Sequence, residues 1–239
     1  MSHESQAYEL LTPDPVANAD LLDVLRRGAG QVLAADDRGV LLRDAGSRAY
    51  MMTSTSPAAA QSLLDQVIDP PVMVTHQEFS LPLIAERFGF DRATPCHQSA
   101  FLGSALPVVE RPDLRVQSLG PDWAETLAEQ YSLKLGVGHL RRVCAAGDMY
   151  GAFRGDTLVG FIGQHAEGSM GMLEVYPDYR RQGIAEYLVT WLGNRIIARG
   201  LVPFDQIIVG NTASERLQRK LGFTISPDKL YWTALTVAE

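Results

Sequence analysis

Along residues 184–200 the apolar positions recur at helical spacing. Ile184, Leu188, Trp191, Leu192 and Ile196 share one face, and Gly200 stands where a C-cap would end the helix. Upstream the period shortens to two. Residues 148–164, DMYGAFRGDTLVGFIGQ, alternate on either side of a turn at Arg154-Gly155-Asp156 and predict a hairpin, and residues 170–175 predict a third strand. Residues 121–133 open with Pro121 and Asp122, both suited to a first turn, and place Leu127 and Tyr131 four apart, which predicts a helix ahead of the hairpin. In the N-terminal region, residues 31–44 read as strand, turn, strand, and MMTSTSPAAAQSLLDQV reads as helix-forming.

One pattern occurs twice. VMVTHQEFSLPLIAERFGF (residues 72–90) and IIVGNTASERLQRKLGF (residues 207–223) both pass from an apolar stretch through an Ala/Leu-containing helix to Gly-Phe. Superposing Gly89-Phe90 on Gly222-Phe223 gives an offset of 133 residues, which points to a duplicated α/β fold. The boundary falls in GSALPVVERPDLR, where two prolines interrupt any helical period.

Composition narrows the function classes. The chain has 239 residues, 46% hydrophobic and 21% charged, enough to bury a large core. Its formal charge of −7 and the absence of any long Lys/Arg run exclude general nucleic-acid binding and leave local arginine pairs as specific anion sites. No apolar run is long enough for a membrane span and MSHESQAYEL lacks a signal-peptide pattern, so a cytoplasmic location is expected. Cys96 and Cys144 are too few for a disulfide framework and lack metal-ligand spacing, so no metal is expected. Gly28-Ala29-Gly30 lacks the third glycine of a dinucleotide turn and is followed by strand pattern, so an NAD or ATP domain is discounted.

The sharpest local signal is LEVYPDYRRQGIA, residues 173–185. A strand end and a proline turn lead into Arg180-x-x-Gly183-x-Ala185 at a helix N-terminus, where free backbone N–H groups, small residues and two arginines suit a pyrophosphate. This segment resembles the acyl-CoA-binding motif of the GCN5-related N-acetyltransferase superfamily, and the second block, with Asn211 closing a strand before Ala213, Leu217 and Leu221, resembles the motif that follows it there. The resemblance covers residues 114–234. The layout, with a copy lacking the anion motif at residues 1–105 and a motif-bearing copy at residues 114–239, is reminiscent of the glycine N-acyltransferase-like and FR47-like groups.

The resemblance implies a GNAT-like, mostly antiparallel twisted sheet flanked by helices in two tandem halves. It implies acetyl-CoA or another acyl-CoA as co-substrate and a primary amine or amino acid as acceptor, joined by direct attack in a ternary complex. Leu173 and Val175 would bind the pantetheine arm through their backbone. Arg180, Arg181, Gln182, Gly183, Ile184 and Ala185 would cradle the pyrophosphate, and Asn211 would bond to the pantetheine or orient the adjoining backbone. Glu174 is the expected base, with Glu167 as the other nearby carboxylate and Asp148 adding negative charge to the cleft. The family's usual tyrosine slot holds Gln218, which leaves solvent, Tyr176 or Tyr231 to protonate the leaving thiolate. A catalytically silent CoA-binding regulatory module is the alternative, and self-association into a homodimer stays open.

Overall fold

The computed structural model describes residues 2–133 and 135–236. The N-terminal region runs α1 (His3–Leu11), α2 (Ala19–Arg27), β1 (Gly30–Asp36), β2 (Gly39–Asp44), β3 (Tyr50–Ser54), α3 (Pro57–Leu64), β4 (Met73–Thr75), α4 (Leu81–Phe88) and β5 (Arg92–Ala100). A connector leads to β6 (Arg115–Ser118). Beyond it come α5 (Ala124–Gln130), α6 (Val137–Ala146), β7 (Met149–Arg154), β8 (Thr157–Gln164), β9 (Met170–Val175), α7 (Ile184–Ala198), β10 (Phe204–Ile208), α8 (Thr212–Lys220) and β11 (Thr224–Ala234). Two helices, three antiparallel strands, then helix, parallel strand, helix and strand occur twice, and Gly89 and Gly222 hold the same left-handed position before Phe in each copy.

Neither copy completes its own sheet. The eleven strands form one sheet in the order β1-β2-β3-β4-β11-β5-β10-β9-β8-β7-β6, so the last strand of each copy lies inside the other. Pairing β5 with both β10 and β11 satisfies edges that each copy would otherwise expose. Strand alternation sorts the side chains onto two covered faces. On one face α1 and α2 pack over Val40, Leu42, Met51 and Val74, and α5 and α6 over Met149, Phe161 and Met172. On the other, α3 and α4 cover Leu41, Met52 and Met73, while α7 covers Ala152, Val159 and Met170.

Several local expectations change. Met51 and Met52 belong to β3, not to a helix, because both are fully buried between sheet neighbours and tertiary packing overrides helical propensity there. Gly28 is the left-handed C-cap of α2, which accounts for that glycine without a nucleotide. Strand β6 was not foreseen in its short polar sequence. The connector before it is pinned through Leu106, whose backbone N–H and carbonyl both bond the Asn194 amide of α7, at 2.9 and 3.2 Å. No helix among the described residues is long and apolar enough to cross a membrane.

Candidate functional site

The site begins with a bulge in β9. Phe161 pairs with Glu174 and Gly163 with Gly171, so Ile162 opposes both Met172 and Leu173, and Met172 takes a left-handed φ of 50°. Beyond the bulge Leu173 and Val175 face the α7 side, while Glu174 points to the face of α5 and α6. Strand β9 then leaves β10. The two share one register pair, Asp205 with Met170, whereas the corresponding β3 and β4 of the first copy pair at three successive positions. The β10-facing backbone of β9 after Met170 is therefore open to an extended ligand, and that of β3 is closed.

The loop into α7 supplies the second element. After the tight turn Pro177–Tyr179, Arg181 and Gly183 adopt left-handed φ values of 57° and 76°. The alternating backbone turns N–H groups inward and forms an anion nest. No side chain caps α7, so its first-turn donors remain available, and Ile184 is buried as its hydrophobic anchor. The equivalent helix of the first copy differs: Ser56 caps α3 by accepting the Ala59 N–H at 3.2 Å, beside Pro57. This physical contrast separates the two copies where the motif does.

The electrostatics around the nest involve two arginines that local sequence did not single out. Arg111 Nη1 donates to the Gln182 carbonyl at 2.6 Å, and Arg154 Nη2 donates to Gln182 Oε1 at 3.1 Å. Both also bond Asp113, whose carboxyl they hold down at about 2, first through the Arg111 hydrogen bond. Arg154 is the last residue of β7 and Arg111 belongs to the connector, so only folding brings them to the loop. Arg181 and Gln182 are exposed, while Gly183 and Ala185 are half-buried.

Arg180 turns back on the strand. Its Nε donates to the Val175 carbonyl at 2.9 Å and its Nη2 meets Glu174 Oε1 at 3.1 Å. The other Glu174 oxygen accepts the Ser132 backbone N–H at 3.1 Å, tying β9 to the end of α5. A carboxylate offers about four lone-pair positions, and the described residues fill two of them. Two phenols adjoin this group. Burial, reinforced by the Glu174 charge, pushes both Tyr131 and Tyr176 up to about 12, and the buried Tyr176 hydroxyl has no partner among the described residues.

Other expected residues lie elsewhere. Glu167 sits at the β8–β9 turn, bonded by the Ser169 hydroxyl at 2.5 Å, and Asp148 precedes β7 at the same end of the sheet. Strand β9 runs about 13 Å from Met170 to Glu174 at roughly 3.3 Å per residue, with Glu167 and Asp148 beyond its far end, so neither carboxylate joins the nest. Asn211 caps α8 by accepting the Ser214 N–H at 3.1 Å. Gln218 is buried and donates at 2.5 Å to the fully enclosed Asp205, so the glutamine serves the interior of α8 and β10. Tyr231 lines a separate cavity near Glu78.

Residues 149–233, which run from β7 into β11, match the family model described as FR47-like protein. No curated protein matches the chain. Among solved structures, a Drosophila protein is similar over 98% of this chain and 97% of its own, with 17% identity and a TM-score of 0.62. A putative GNAT-family acetyltransferase from Novosphingobium aromaticivorans is similar over 99% and 100%, with 17% identity and a TM-score of 0.53. A GCN5-related N-acetyltransferase from Kribbella flavida is similar over 94% and 95%, with 13% identity and a TM-score of 0.55.

Proposed function

With an FR47-like segment set in a GCN5-related N-acetyltransferase fold, we propose that this chain is an N-acyltransferase that moves a short acyl group, acetyl in the first instance, from acyl-CoA to a primary amine. The observation that carries the reading is the pairing of an uncapped anion nest at α7 with a strand, β9, splayed from its neighbour. A pyrophosphate fits the first and an extended pantetheine the second. Leu173 and Val175 supply backbone groups. Arg181, Gln182, Gly183, Ile184 and Ala185 form the cradle. Arg111 already stands at the mouth of the cradle, 3.8 Å from where a Cβ on Gly183 would lie, Arg180 would turn from Glu174 to reach phosphate, and Asn211 would orient the backbone at the start of α8 toward the pantetheine.

Chemistry would proceed on the face of Glu174. The acceptor ammonium gives a proton to Glu174, directly or through a water, and the freed nitrogen pair forms the N–C bond as the C–S bond breaks. The leaving thiolate takes its proton from Tyr176, whose hydroxyl remains protonated well above neutral pH, or from solvent, and the second proton shed by the acylated nitrogen restores that donor. Residues 1–105 form the copy without an anion site and residues 114–239 the copy that binds acyl-CoA. The acceptor is a small amine or amino acid, and the setting is cytoplasmic.

A silent CoA-binding module is the second reading, favoured by the two hydrogen bonds already on Glu174 and by the burial of Gln218. Thiol release from acetyl-CoA with a broad panel of amines separates the two. Turnover above the hydrolysis rate with any acceptor supports transfer. CoA binding without turnover on every acceptor supports the module.

A further inference from the structure

We propose that the cavity where the two copies meet is a second small-molecule site, with Gln98 as anchor, for a compact molecule that presents a hydrogen-bond donor and acceptor side by side, as an α-amino acid or a primary amide does. The cavity holds about 520 Å³. Its walls are the α1–α2 loop, residues 76–78 after β4, and residues 226–231 of β11.

A defect in the ladder creates it. Ser99 pairs with Ile225 and His97 with Lys229, so residues 226–228 bulge out of register opposite Gln98. On its other edge β11 is paired with β4 only from Tyr231 to Thr233, which leaves the bulged stretch without a neighbour there. Gln98 lines the resulting space, is 2% exposed, and neither its Oε1 nor its Nε2 has a partner among the described residues. Buried amides are almost always paired, and one with both atoms unpaired in a cavity wall is built to receive something.

The surrounding chemistry selects the ligand. His76 Nε2 meets the fully buried Asp20 Oδ2 at 3.1 Å, which orients the ring and leaves Nδ1 without a protein partner among the described residues. At the rim the cation of Lys229 stands with the carboxylates of Glu78 and Asp228. Mixed signs suit a zwitterion or a neutral amide, and the carboxylates of Glu78 and Asp228 disfavour a polyphosphate even though the N-terminus of α2 reaches the wall at Asn18. An ammonium or amide N–H can donate to Gln98 Oε1 while the adjoining carboxylate or carbonyl accepts from Nε2. Gln98 lies on β5, whose neighbour β10 alone stands between it and the β9–β10 splay. The cavity opens beside the α1–α2 loop, on the face of the sheet opposite α7, so the site is distinct from the α7 nest.

The test needs no acyl-CoA and so stands or falls apart from the transfer reading. Calorimetry is run on the full chain with glycinamide, glycine and acetamide. Glycinamide is expected to bind one to one, with glycine and acetamide showing whether the zwitterion or the amide dominates. Gln98→Leu should weaken binding at least about tenfold while raising the melting temperature of the unliganded protein, because an unpaired buried amide is removed. Lys229→Ala, an exposed change, should weaken glycine several-fold and leave acetamide unaffected. No binding of any probe up to about 10 mM, or unchanged affinity in both variants, overturns the proposal.

Discussion

Glu174 and Asp205 are both buried carboxylates, yet their surroundings assign them different work. Glu174 lies between a backbone N–H and a guanidinium on the open side of β9. Glu174→Gln keeps the shape and removes the proton acceptor, so kcat should fall by roughly 10²–10⁴-fold, with the CoA dissociation constant nearly unchanged. Steady-state rates and calorimetry read the two separately. If kcat survives, the carboxylate only ties α5 to β9. Asp205 is buried, and burial lifts its carboxyl from 3.8 to about 7 against the opposing hydrogen bond from Gln218. Between those values the folded chain keeps a proton that the unfolded chain has released. Its contribution is therefore full at low pH and is lost as pH rises toward 7. Asp205→Asn should flatten this slope and raise stability at pH 8 relative to pH 5, as measured by urea unfolding at the two values.

The relevant elements are α7 with its loop and the divergent strand β9. Gly183 holds a φ of 76° at the mouth of the nest, and any side chain there is strained. A β-branched one would also stand where phosphate must approach the backbone. Gly183→Val should weaken CoA binding at least about tenfold, as calorimetry would show, and lower the melting temperature by a few degrees. The splay gives a second expectation. Backbone N–H groups of β9 that face β10 lack strand partners beyond Met170, so they should exchange with deuterium faster than those facing β8. At about 100-fold excess over its dissociation constant, CoA should slow them by up to roughly 100-fold. Exchange that is unaffected by CoA would place the pantetheine elsewhere.

At the scale of the molecule, the exchange of β5 and β11 governs what can be separated. The motif alone suggests that a fragment starting at Arg111 carries all CoA affinity. The sheet argues against it, since removing β5 leaves a gap between β10 and β11 and exposes Phe204 and Phe223, both buried in the whole chain. The fragment is expected to lack a cooperative melt by circular dichroism and to bind CoA poorly, whereas the full chain melts as one unit. A well-folded, CoA-binding fragment would show that β5 is dispensable.

What could be read along the chain was everything with a short physical range. The periodicity of α7, the β7–β8 hairpin, the duplicated helix-Gly-Phe blocks and the Arg180-x-x-Gly183-x-Ala185 turn all depend on residues within a turn or a strand of each other. The duplicated α/β fold followed from that repetition, and the mixed, mostly antiparallel sheet from the family resemblance. Contacts across long stretches of sequence were decided by the folded sheet. Arg111 reaches Gln182 from the connector, Ser132 meets Glu174, and Gln218 turns inward to Asp205. The same holds for the removal of Glu167 and Asp148 from the site, because direction along a strand places a carboxylate at one end of the sheet or the other. The exchange of β5 and β11 is of this kind too. Two similar copies have interchangeable edges, and which edge is filled by which strand depends on the packing of the whole sheet.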